Sequence, residues 1–391
     1  MNGGARIRDF AVLSALSQSF EIDLLTVGVP SPMVEPLCRN VILPSPYYGD
    51  ETPWLSMKRW AAAGIESARG SEPLWLTSKT NGMLRREIRT LANSGKYDAI
   101  HASELSSASA LIGHTETPVV YDAHNCEWKL LERTQERQKW PLLRAVLAHE
   151  KNRVREFERL AVTRSQLVLV TARSDLEELS ALGGPEFAPA TVIPNAIDLD
   201  RYLDVRNATP VPGTILVPGK FDWRPNLIGL EWFASEIVGR IRDRMAGRHF
   251  RIVVAGRMSD GTAKMLTAIP NVEAAPNPDD MLPYFGQAAA VAVPVLVSSG
   301  TRLRMAEAMA CRRPIVATTP GAAGMVPKTK NPWIVADGED EFAEALARVL
   351  TDDVFAGQII DDGWSQVQDL DWRRLREPLK EAYSRVFGEY R

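Results

Sequence analysis

The segment from Pro294 to Thr319 places the strongest constraint on the fold of this chain. It opens with apolar residues, passes through the small residues Ser298, Ser299 and Gly300, continues as a helical pattern and ends in a β-branched strand. A strand, a glycine turn and a helix in this order place backbone N–H groups at the start of the helix, where a negative charge is stabilised. The segment therefore predicts a strand–helix–strand unit with an anion-binding turn.

Strands and helices alternate in this way along the whole chain. Short strands are predicted at Glu21–Val27, Asn40–Leu43, Tyr97–Ala102, Val119–Asp122, Thr214–Val217, His249–Ala255, Asn271–Ala274, Ala288–Val293, Ile315–Thr318 and Trp333–Ala336. The segments between them carry helical periodicity or turn residues. Such alternation favours parallel sheets that are covered by helices on both faces. We therefore predict an α/β fold built from doubly wound sheets.

Two domains are expected, because 391 residues are too many for one ordinary core. A proline-bearing connector at 206–213 separates two runs of strands and helices. We expect residues 1–205 to form an N-terminal Rossmann-like domain and residues 206–371 to form a C-terminal one. The amphipathic helix predicted within 372–391 joins the N-terminal domain. Two such domains in tandem are expected to face each other across a central cleft.

Glu307 and Arg304 are the charged residues of the central segment that most need an explanation. Gly300, Arg304 and Glu307 fall at positions i, i+4 and i+7 of the predicted helix and share one face. Alanine and methionine surround Glu307, so its carboxylate is expected to be buried, which is costly without hydrogen-bond donors. One interpretation is an internal ion pair with Arg304, three residues away. The other is a ligand site, in which Glu307 accepts from hydroxyl groups while Arg304 and the helix end hold a phosphate.

Three residues of the N-terminal half are site candidates by position. His101, Asp122 and His124 lie at or just beyond the carboxyl ends of two predicted strands. Ligands of open α/β sheets bind beyond that edge. The alternative is that each histidine caps a loop or has its hydrogen bonds satisfied internally.

The charge and the cysteine content narrow the classes of function. A net charge of -3 does not favour nucleic-acid binding, and the three cysteines lack metal-ligand spacing. The cysteines are expected to be reduced core thiols. No apolar run approaches membrane-spanning length, and no signal-peptide pattern occurs near the N-terminus. We therefore expect a cytoplasmic protein.

The segment Glu127–Arg164 is a long helical pattern with a break near Trp140 and Pro141. It contains ten basic and six acidic residues. One interpretation is a solvent-facing helix with ion pairs at i,i+3 and i,i+4 spacing. The other, because Trp140 stands beside Leu142 and Leu143, is peripheral contact with an anionic membrane surface.

An ordered set of motifs resembles the group 1 family of retaining, nucleotide-sugar-dependent glycosyltransferases, which have the GT-B fold. The motifs are GGARIR, YDAIH, VVYDAHN, VIPNAIDLDRY, VPGKFDWRPN and SSGTRLRMAEAMACRRPIVATTPGAAGM. They occur in the order of the family and span nearly the whole chain. The GTRLR segment before EAM resembles the branch that makes cell-surface polysaccharides.

The resemblance implies that the C-terminal domain binds the nucleotide-sugar donor and the N-terminal domain meets the acceptor. Glu307 corresponds to the second glutamate of the family's E-x7-E motif, which binds the ribose. The first glutamate falls at Ser299, so the chain departs from the motif there. Backbone N–H groups of Gly300 and Thr301 are then expected to share the contacts to the donor.

The same resemblance places glycines and basic residues near the donor phosphates. Gly219 and Lys220 stand where the family has a G-R pair, and Arg224 is the candidate for the lysine that follows. Both substitutions keep the positive charge, although lysine and arginine differ in geometry. Gly3 and Gly4 correspond to the glycine loop that approaches the phosphates.

The implied reaction is sugar transfer with retention of configuration at the anomeric carbon. His124 corresponds to the family histidine that faces the donor sugar, while Lys220 and Arg224 stabilise negative charge on the leaving diphosphate. The leaving phosphate accepts the acceptor's proton, so a pair of glycosidase-like carboxylates is not required. We expect no metal ion and no cofactor. The acceptor is expected to be a glycan or a lipid-linked glycan at the inner face of the plasma membrane, near His101 and Asp122.

The pattern lacks the first strand that family members place before the glycine loop. Here Gly3 stands only two residues after residue 1. We expect that the natural start lies upstream or that the product is a damaged enzyme. The alternatives to a transferase are a sugar-nucleotide epimerase of the same fold and a protein that binds nucleotide sugars or a membrane without catalysis. Ser299 argues against the epimerase, whose chemistry needs carboxylates near the donor sugar.

Overall fold

The computed structural model of the protein describes residues 4–27, 30–44, 72–80, 82–138, 140–297 and 303–388. The chain divides into two compact units. The N-terminal unit comprises Val12–Pro194 and Leu375–Arg391, and the C-terminal unit comprises Met1–Ala11 and Asn195–Arg374. The chain passes from one unit to the other after Pro194, ahead of the boundary expected at residue 205.

The first 194 residues contain alternating helices and strands. In the described residues these are α1 (Gly4–Leu16), β1 (Asp23–Leu25), β2 (Asn40–Ile42), α2 (Leu74–Lys79), α3 (Gly82–Ala92), β3 (Ile100–Ser103), α4 (Glu104–Leu111), β4 (Val119–Ala123), α5 (Glu127–Glu136), α6 (Pro141–Arg164), β5 (Leu167–Val170), α7 (Arg173–Gly183) and β6 (Ala190–Val192).

The alternation continues through the rest of the chain. The further elements are α8 (Leu203–Arg206), β7 (Thr214–Lys220), α9 (Arg224–Trp232), α10 (Val238–Arg244), β8 (Arg251–Arg257), α11 (Asp260–Thr267), β9 (Val272–Pro276), α12 (Leu282–Gln287), β10 (Ala290–Val293), α13 (Leu303–Ala310), β11 (Ile315–Ala317), β12 (Ile334–Val335), α14 (Glu339–Thr351), α15 (Asp353–Val367) and α16 (Arg376–Phe387). The last helix, α16, belongs to the N-terminal unit.

The prediction of an α/β fold with parallel sheets is confirmed. All strand pairs among the described residues are parallel. The C-terminal unit has the strand order β12-β11-β10-β7-β8-β9. In the N-terminal unit β3-β4-β5-β6 form one sheet, while β1 and β2 form another, and helix α1 precedes them.

The C-terminal sheet is buried on both faces because its strands are apolar at nearly every position. On β7, Ile215 and Val217 pack into one core, whereas Leu216 packs into the other. On β8, Ile252 and Val253 divide between the two cores in the same way. This alternation follows from the two-residue period of a strand. The sheet is therefore a rigid central layer whose carboxyl edge can position a site.

Two of the long helical stretches that the sequence indicates are not regular α-helices from end to end. The break expected near Trp140 is confirmed, since α5 ends at Glu136 and α6 begins at Pro141. The helical pattern of residues 227–242 forms α9 and α10, which a π-helical turn at Phe233–Ile237 joins without a gap. The wider turn keeps Phe233 and Ile237 both in the core.

A buried carboxylate caps the helix that follows the His124 loop. Glu158 of α6 accepts hydrogen bonds from the backbone N–H groups of Glu127 and Trp128, each at 2.9 Å. These are free N–H groups at the start of α5, where a negative charge is favoured. Burial and, to a smaller extent, the nearby Glu127 carboxylate together raise the pKa of Glu158 to about 8, against the lowering effect of the two N–H donors.

The raised pKa of Glu158 predicts a pH-dependent stability. The unfolded chain has the ordinary glutamate pKa near 4.5, so between about pH 4.5 and 8 the folded protein binds more protons than the unfolded chain. The free energy of unfolding should therefore fall as the pH rises through this window. Urea unfolding at several pH values measures the slope, and Glu158→Gln should flatten it. An equally steep slope in wild type and variant would contradict the assignment.

Candidate functional site

The carboxyl ends of β7 and β10 flank the point where the strand order of the C-terminal sheet reverses. The strands follow the chain outward from β7 through β8 to β9 on one side, and from β10 through β11 to β12 on the other. Ligands of doubly wound sheets bind in the crevice at such a reversal. Lys220 is the last residue of β7, and Val293 is the last residue of β10.

Close backbone approaches shape this edge. A Cβ on Gly229 of α9 would collide with the carbonyl oxygen of Pro294, and a Cβ on Gly256 would collide with the carbonyl oxygen of Gly219. Gly256 also has a φ of 141°, which residues with side chains rarely adopt. Glycine at position 229 lets α9 lie against the chain that leaves β10, and glycine at position 256 leaves room for the carbonyl group of Gly219. No local sequence pattern shows that Gly229 and Gly256 are glycines required by close backbone contacts.

Glu307 lies on α13 and is buried, with 5% of its surface exposed. Arg304 Nη1 donates to Glu307 Oε2 at 2.6 Å, so the internal ion pair is present. Tyr202 donates its hydroxyl to Glu307 Oε1 at 3.2 Å. A carboxylate has roughly four acceptor positions. The two contacts therefore leave Glu307 with capacity for further hydroxyl donors.

Tyr202 is a site residue that the sequence analysis missed. It ends the short helical turn Leu199–Tyr202 in the motif VIPNAIDLDRY, and only 2% of its surface is exposed. Burial raises the pKa of Tyr202 well above its usual value, and the charge of Glu307 raises it further. Its hydroxyl is thus a permanent donor that fixes the orientation of the Glu307 carboxylate.

The basic candidates lie at the exposed edge of the C-terminal sheet. Lys220 is exposed, and Arg224, the first residue of α9, donates to Glu231 at 3.1 Å. Surface pairs of this kind contribute little stability and exchange partners easily. Arg257, which stands in register with Lys220 on β8, pairs with Asp222 at 2.9 Å. Arg257 is a further basic residue at this edge that the sequence analysis did not select.

The histidine candidates gather around one buried carboxylate in the N-terminal unit. His101 Nε2 lies 3.5 Å and His124 Nε2 lies 3.7 Å from Asp122 Oδ2. On the other side of its ring, His101 Nδ1 lies 2.7 Å from the Tyr383 hydroxyl, whereas His124 Nε2 itself also lies 3.1 Å from Ser103 Oγ. Asp122 is fully buried, and one of its carboxylate oxygens lies within 4 Å of both rings. The structure thus brings the three candidates together.

Two details of this cluster differ from the sequence-based expectation. The strand that contains His101 begins at Ile100 and ends at Ser103, rather than spanning Tyr97–Ala102. Glu104 adopts a φ of 64°, which is costly for a residue with a side chain, and its Oε1 lies 3.7 Å from His124 Nδ1. Glu104 and Tyr383 are therefore cluster members that the sequence analysis missed.

Several of the predicted site residues lie outside the residues that the structure describes. Gly3, Ser299, Gly300 and Thr301 are outside the described residues, and Gly4 is the first residue of α1. In the described part of the chain, no group of three or more histidine, cysteine, aspartate or glutamate residues could hold a metal ion.

Two family models match the chain, one in each half. The model for glycosyl transferases group 1 matches residues 212–352, and the model for glycosyltransferase family 4 matches residues 63–201. The chain belongs to the group 1 glycosyltransferases. No curated protein matches the sequence.

Solved structures show that this glycosyltransferase has the GT-B fold. Sucrose-phosphate synthase from Thermosynechococcus elongatus is 16% identical with a TM-score of 0.68, and the alignment covers 98% of this chain and 94% of the synthase. Anabaena Alr3699/HepE in complex with UDP and glucose is 15% identical with a TM-score of 0.65, covering 98% and 96%. WaaG, a glycosyltransferase involved in lipopolysaccharide biosynthesis, is 13% identical with a TM-score of 0.62, covering 100% and 97%.

Among the described residues of this glycosyltransferase, no helix combines the length and the apolar character that a membrane crossing requires.

The contact between Tyr202 and Glu307 predicts the effect of removing one hydroxyl. Tyr202→Phe should lower the free energy of unfolding by about 1–2 kcal/mol, since it leaves a buried carboxylate oxygen without its donor. Denaturant unfolding measures the change. The matched control is Tyr284→Phe in the same unit, whose hydroxyl has no hydrogen bond among the described residues and whose loss should change stability little. Equal effects of the two substitutions would contradict a specific role for the Tyr202 hydroxyl.

Proposed function

We propose that this protein is a retaining glycosyltransferase that moves a sugar from a nucleotide-sugar donor to a hydroxyl acceptor. The observation that carries the proposal is the buried Glu307 carboxylate on α13, held by Arg304 and Tyr202 with acceptor capacity to spare. Buried carboxylates with fixed orientation are suited to accept the two hydroxyls of a ribose. The helix that carries it follows the strand at the sheet reversal, where nucleotides bind in doubly wound folds.

The nucleotide-sugar donor is supported from a second direction. Anabaena HepE, which shares the fold, was solved in complex with UDP and with UDP-glucose. We infer that Glu307 accepts from the ribose hydroxyls of the donor. Backbone N–H groups near Gly300 and Thr301 would contact the donor in place of the glutamate that Ser299 replaces.

Charge stabilisation of the leaving diphosphate is assigned to basic side chains rather than to a metal ion or a cofactor. The bond from the anomeric carbon to the phosphate oxygen breaks, and negative charge develops on the diphosphate. Lys220, Arg224 and Arg304 are the candidates to stabilise it, and Gly219 allows close approach of the backbone. In the N-terminal sequence, Gly3 and Gly4 would approach the same phosphates.

The acceptor side of the reaction is assigned to the histidine cluster. His124 would face the donor sugar, while His101 and Asp122 would lie on the side of the acceptor. The acceptor hydroxyl attacks the anomeric carbon on the face that the diphosphate leaves, and the departing phosphate takes the hydroxyl proton. No side chain of the cluster needs to act as a nucleophile. Asp122 would hold both imidazoles in position through its contacts.

A glycan or a lipid-linked glycan is the proposed acceptor, in the synthesis of cell-surface polysaccharide. The support is the GTRLR segment before EAM and the shared fold with WaaG, which is involved in lipopolysaccharide biosynthesis. Such acceptors are made at the inner face of the plasma membrane, so we propose a cytoplasmic enzyme that works at that surface.

Donor binding by wild type and Glu307→Gln tests the proposal. In a thermal-shift panel of UDP-, GDP-, ADP- and dTDP-sugars, one nucleotide class should stabilise the wild type. Titration calorimetry with that donor should show at least about tenfold weaker binding by the variant, because a charged acceptor of two hydroxyls is lost. The exposed Glu341→Gln in the same unit is the control and should bind like wild type.

Product analysis separates the alternatives. Incubation with the bound donor and glycan acceptors should give a glycoside with the anomeric configuration of the donor. An epimerised sugar nucleotide without transfer would favour the epimerase, and donor binding without any product would favour a non-catalytic protein. Unchanged donor affinity in Glu307→Gln would overturn the assignment of the ribose site.

A further inference from the structure

Helices α5 and α6 form an antiparallel hairpin in which the start of α6 extends beyond the end of α5. Glu158 of α6 meets the first residues of α5, and Lys151 Nζ lies 3.4 Å from Glu132 Oε1. From Glu132, α5 continues for only four residues, whereas α6 begins ten residues before Lys151. At a rise of about 1.5 Å per residue, the start of α6 extends roughly 9 Å past the end of α5. We call residues 140–146 the hairpin tip.

The hairpin tip is apolar and exposed. All seven of its residues are exposed, and the large apolar side chains keep much of their surface in solvent: Trp140 74%, Leu142 81%, Leu143 44% and Val146 47%. Exposed apolar side chains scattered singly are ordinary, whereas a contiguous group that includes tryptophan marks an interaction surface. None of these side chains belongs to the core that the described residues of the N-terminal unit form.

The surroundings of the hairpin tip are positive. Between Glu136 and Glu150 the sequence contains Arg137, Lys139 and Arg144 and no acidic residue. Helix α6 has no acidic residue in its first turn, and in the described residues no side chain caps its N-terminus. The positive end of the helix dipole adds to the charge of Arg144.

We propose that the hairpin tip inserts into the surface of an anionic lipid bilayer. Trp140, Leu142 and Leu143 enter the interfacial region, and Arg137 and Arg144 pair with phosphate groups of the lipids. Tryptophan and leucine beside arginine is the composition that lipid interfaces favour. A second protein is a poorer fit, because the tip has seven residues whereas a stable protein interface uses roughly 20–30 residues on each side. The inference rests on the proposed location at a membrane, and not on the transfer reaction.

Vesicle cosedimentation of the full chain tests the proposal. Wild type should bind vesicles of phosphatidylcholine with phosphatidylglycerol, bind pure phosphatidylcholine much less, and lose affinity as salt rises. Trp140→Ser with Leu142→Ser should weaken binding at least about tenfold. Each of Arg137→Gln and Arg144→Gln should weaken it about fivefold.

Matched controls come from the C-terminal unit. Val326 and Val354 are 71% and 75% exposed, so Val326→Ser with Val354→Ser removes two exposed apolar side chains elsewhere and should leave vesicle binding unchanged. Arg248→Gln removes one exposed positive charge and should also have no effect. Unchanged thermal unfolding of the tip variants would show that they fold, as expected for exposed positions.

Three outcomes would overturn the proposal. They are a wild type that does not bind anionic vesicles, tip variants that bind as tightly as the controls, and a dimer in ultracentrifugation that the tip variants dissociate without any vesicle binding. Because cosedimentation needs neither donor nor acceptor, vesicle binding can fail while donor binding to Glu307 persists, and the reverse. The two proposals therefore fail separately.

Discussion

The hydrogen bonding of strand β7 to its two neighbours is the constraint on which the C-terminal unit depends. With β8, β7 pairs along its whole length, from Thr214 opposite Arg251 to Lys220 opposite Arg257. With β10, the pairing in the described residues involves Ile215 and Leu216 near the start of β7. The carboxyl end of β7 therefore continues without β10 beside it. β10 ends at Val293, so Lys220 lies at the carboxyl end of β7 beyond the residues that pair with β10 in the described part of the chain.

Two buried ionisable side chains in this molecule, Glu158 and Arg313, lie where helix ends need hydrogen-bond partners. Glu158 accepts from the free N–H groups at the start of α5. Arg313 does the reverse, because its guanidinium donates to the carbonyl oxygens of Phe285 and Gly286 in the last turn of α12 and to that of Ala208 after α8, at 2.9, 3.0 and 2.8 Å. Burial lowers the pKa of Arg313, because the charged guanidinium loses contact with water there. Each side chain, in its charged form, has the sign that the helix end beside it favours.

The alternation of apolar strands and helical segments was sufficient to predict the parallel sheets. Strand and helix periodicities both depend on residues close together in the sequence, so a local pattern shows them. The partners of Glu307 and His101 were not predictable in that way. Tyr202 lies 105 residues from Glu307, and Tyr383 lies 282 residues from His101, so no spacing rule connects them. The strand that holds His101 was predicted to begin at Tyr97 but begins at Ile100. The Tyr97 hydroxyl donates to Asp23 at 3.1 Å, a contact between residues 74 positions apart that no local pattern shows. A local pattern identifies which residues carry chemistry, whereas the fold determines which of them meet.

The net charge of the chain does not determine whether a particular region of its surface can bind an anion. A net charge of -3 argues against a polyanionic partner for the whole surface. Screening confines the effect of a charge to about 8–10 Å at physiological salt, so a partner responds to the groups within that distance and not to the total. The edge of the C-terminal sheet holds Lys220, Arg224 and Arg257, with Arg224 and Arg257 paired to exposed or partly exposed carboxylates that an incoming phosphate could replace. A diphosphate would meet a positive region there even though the chain as a whole is acidic.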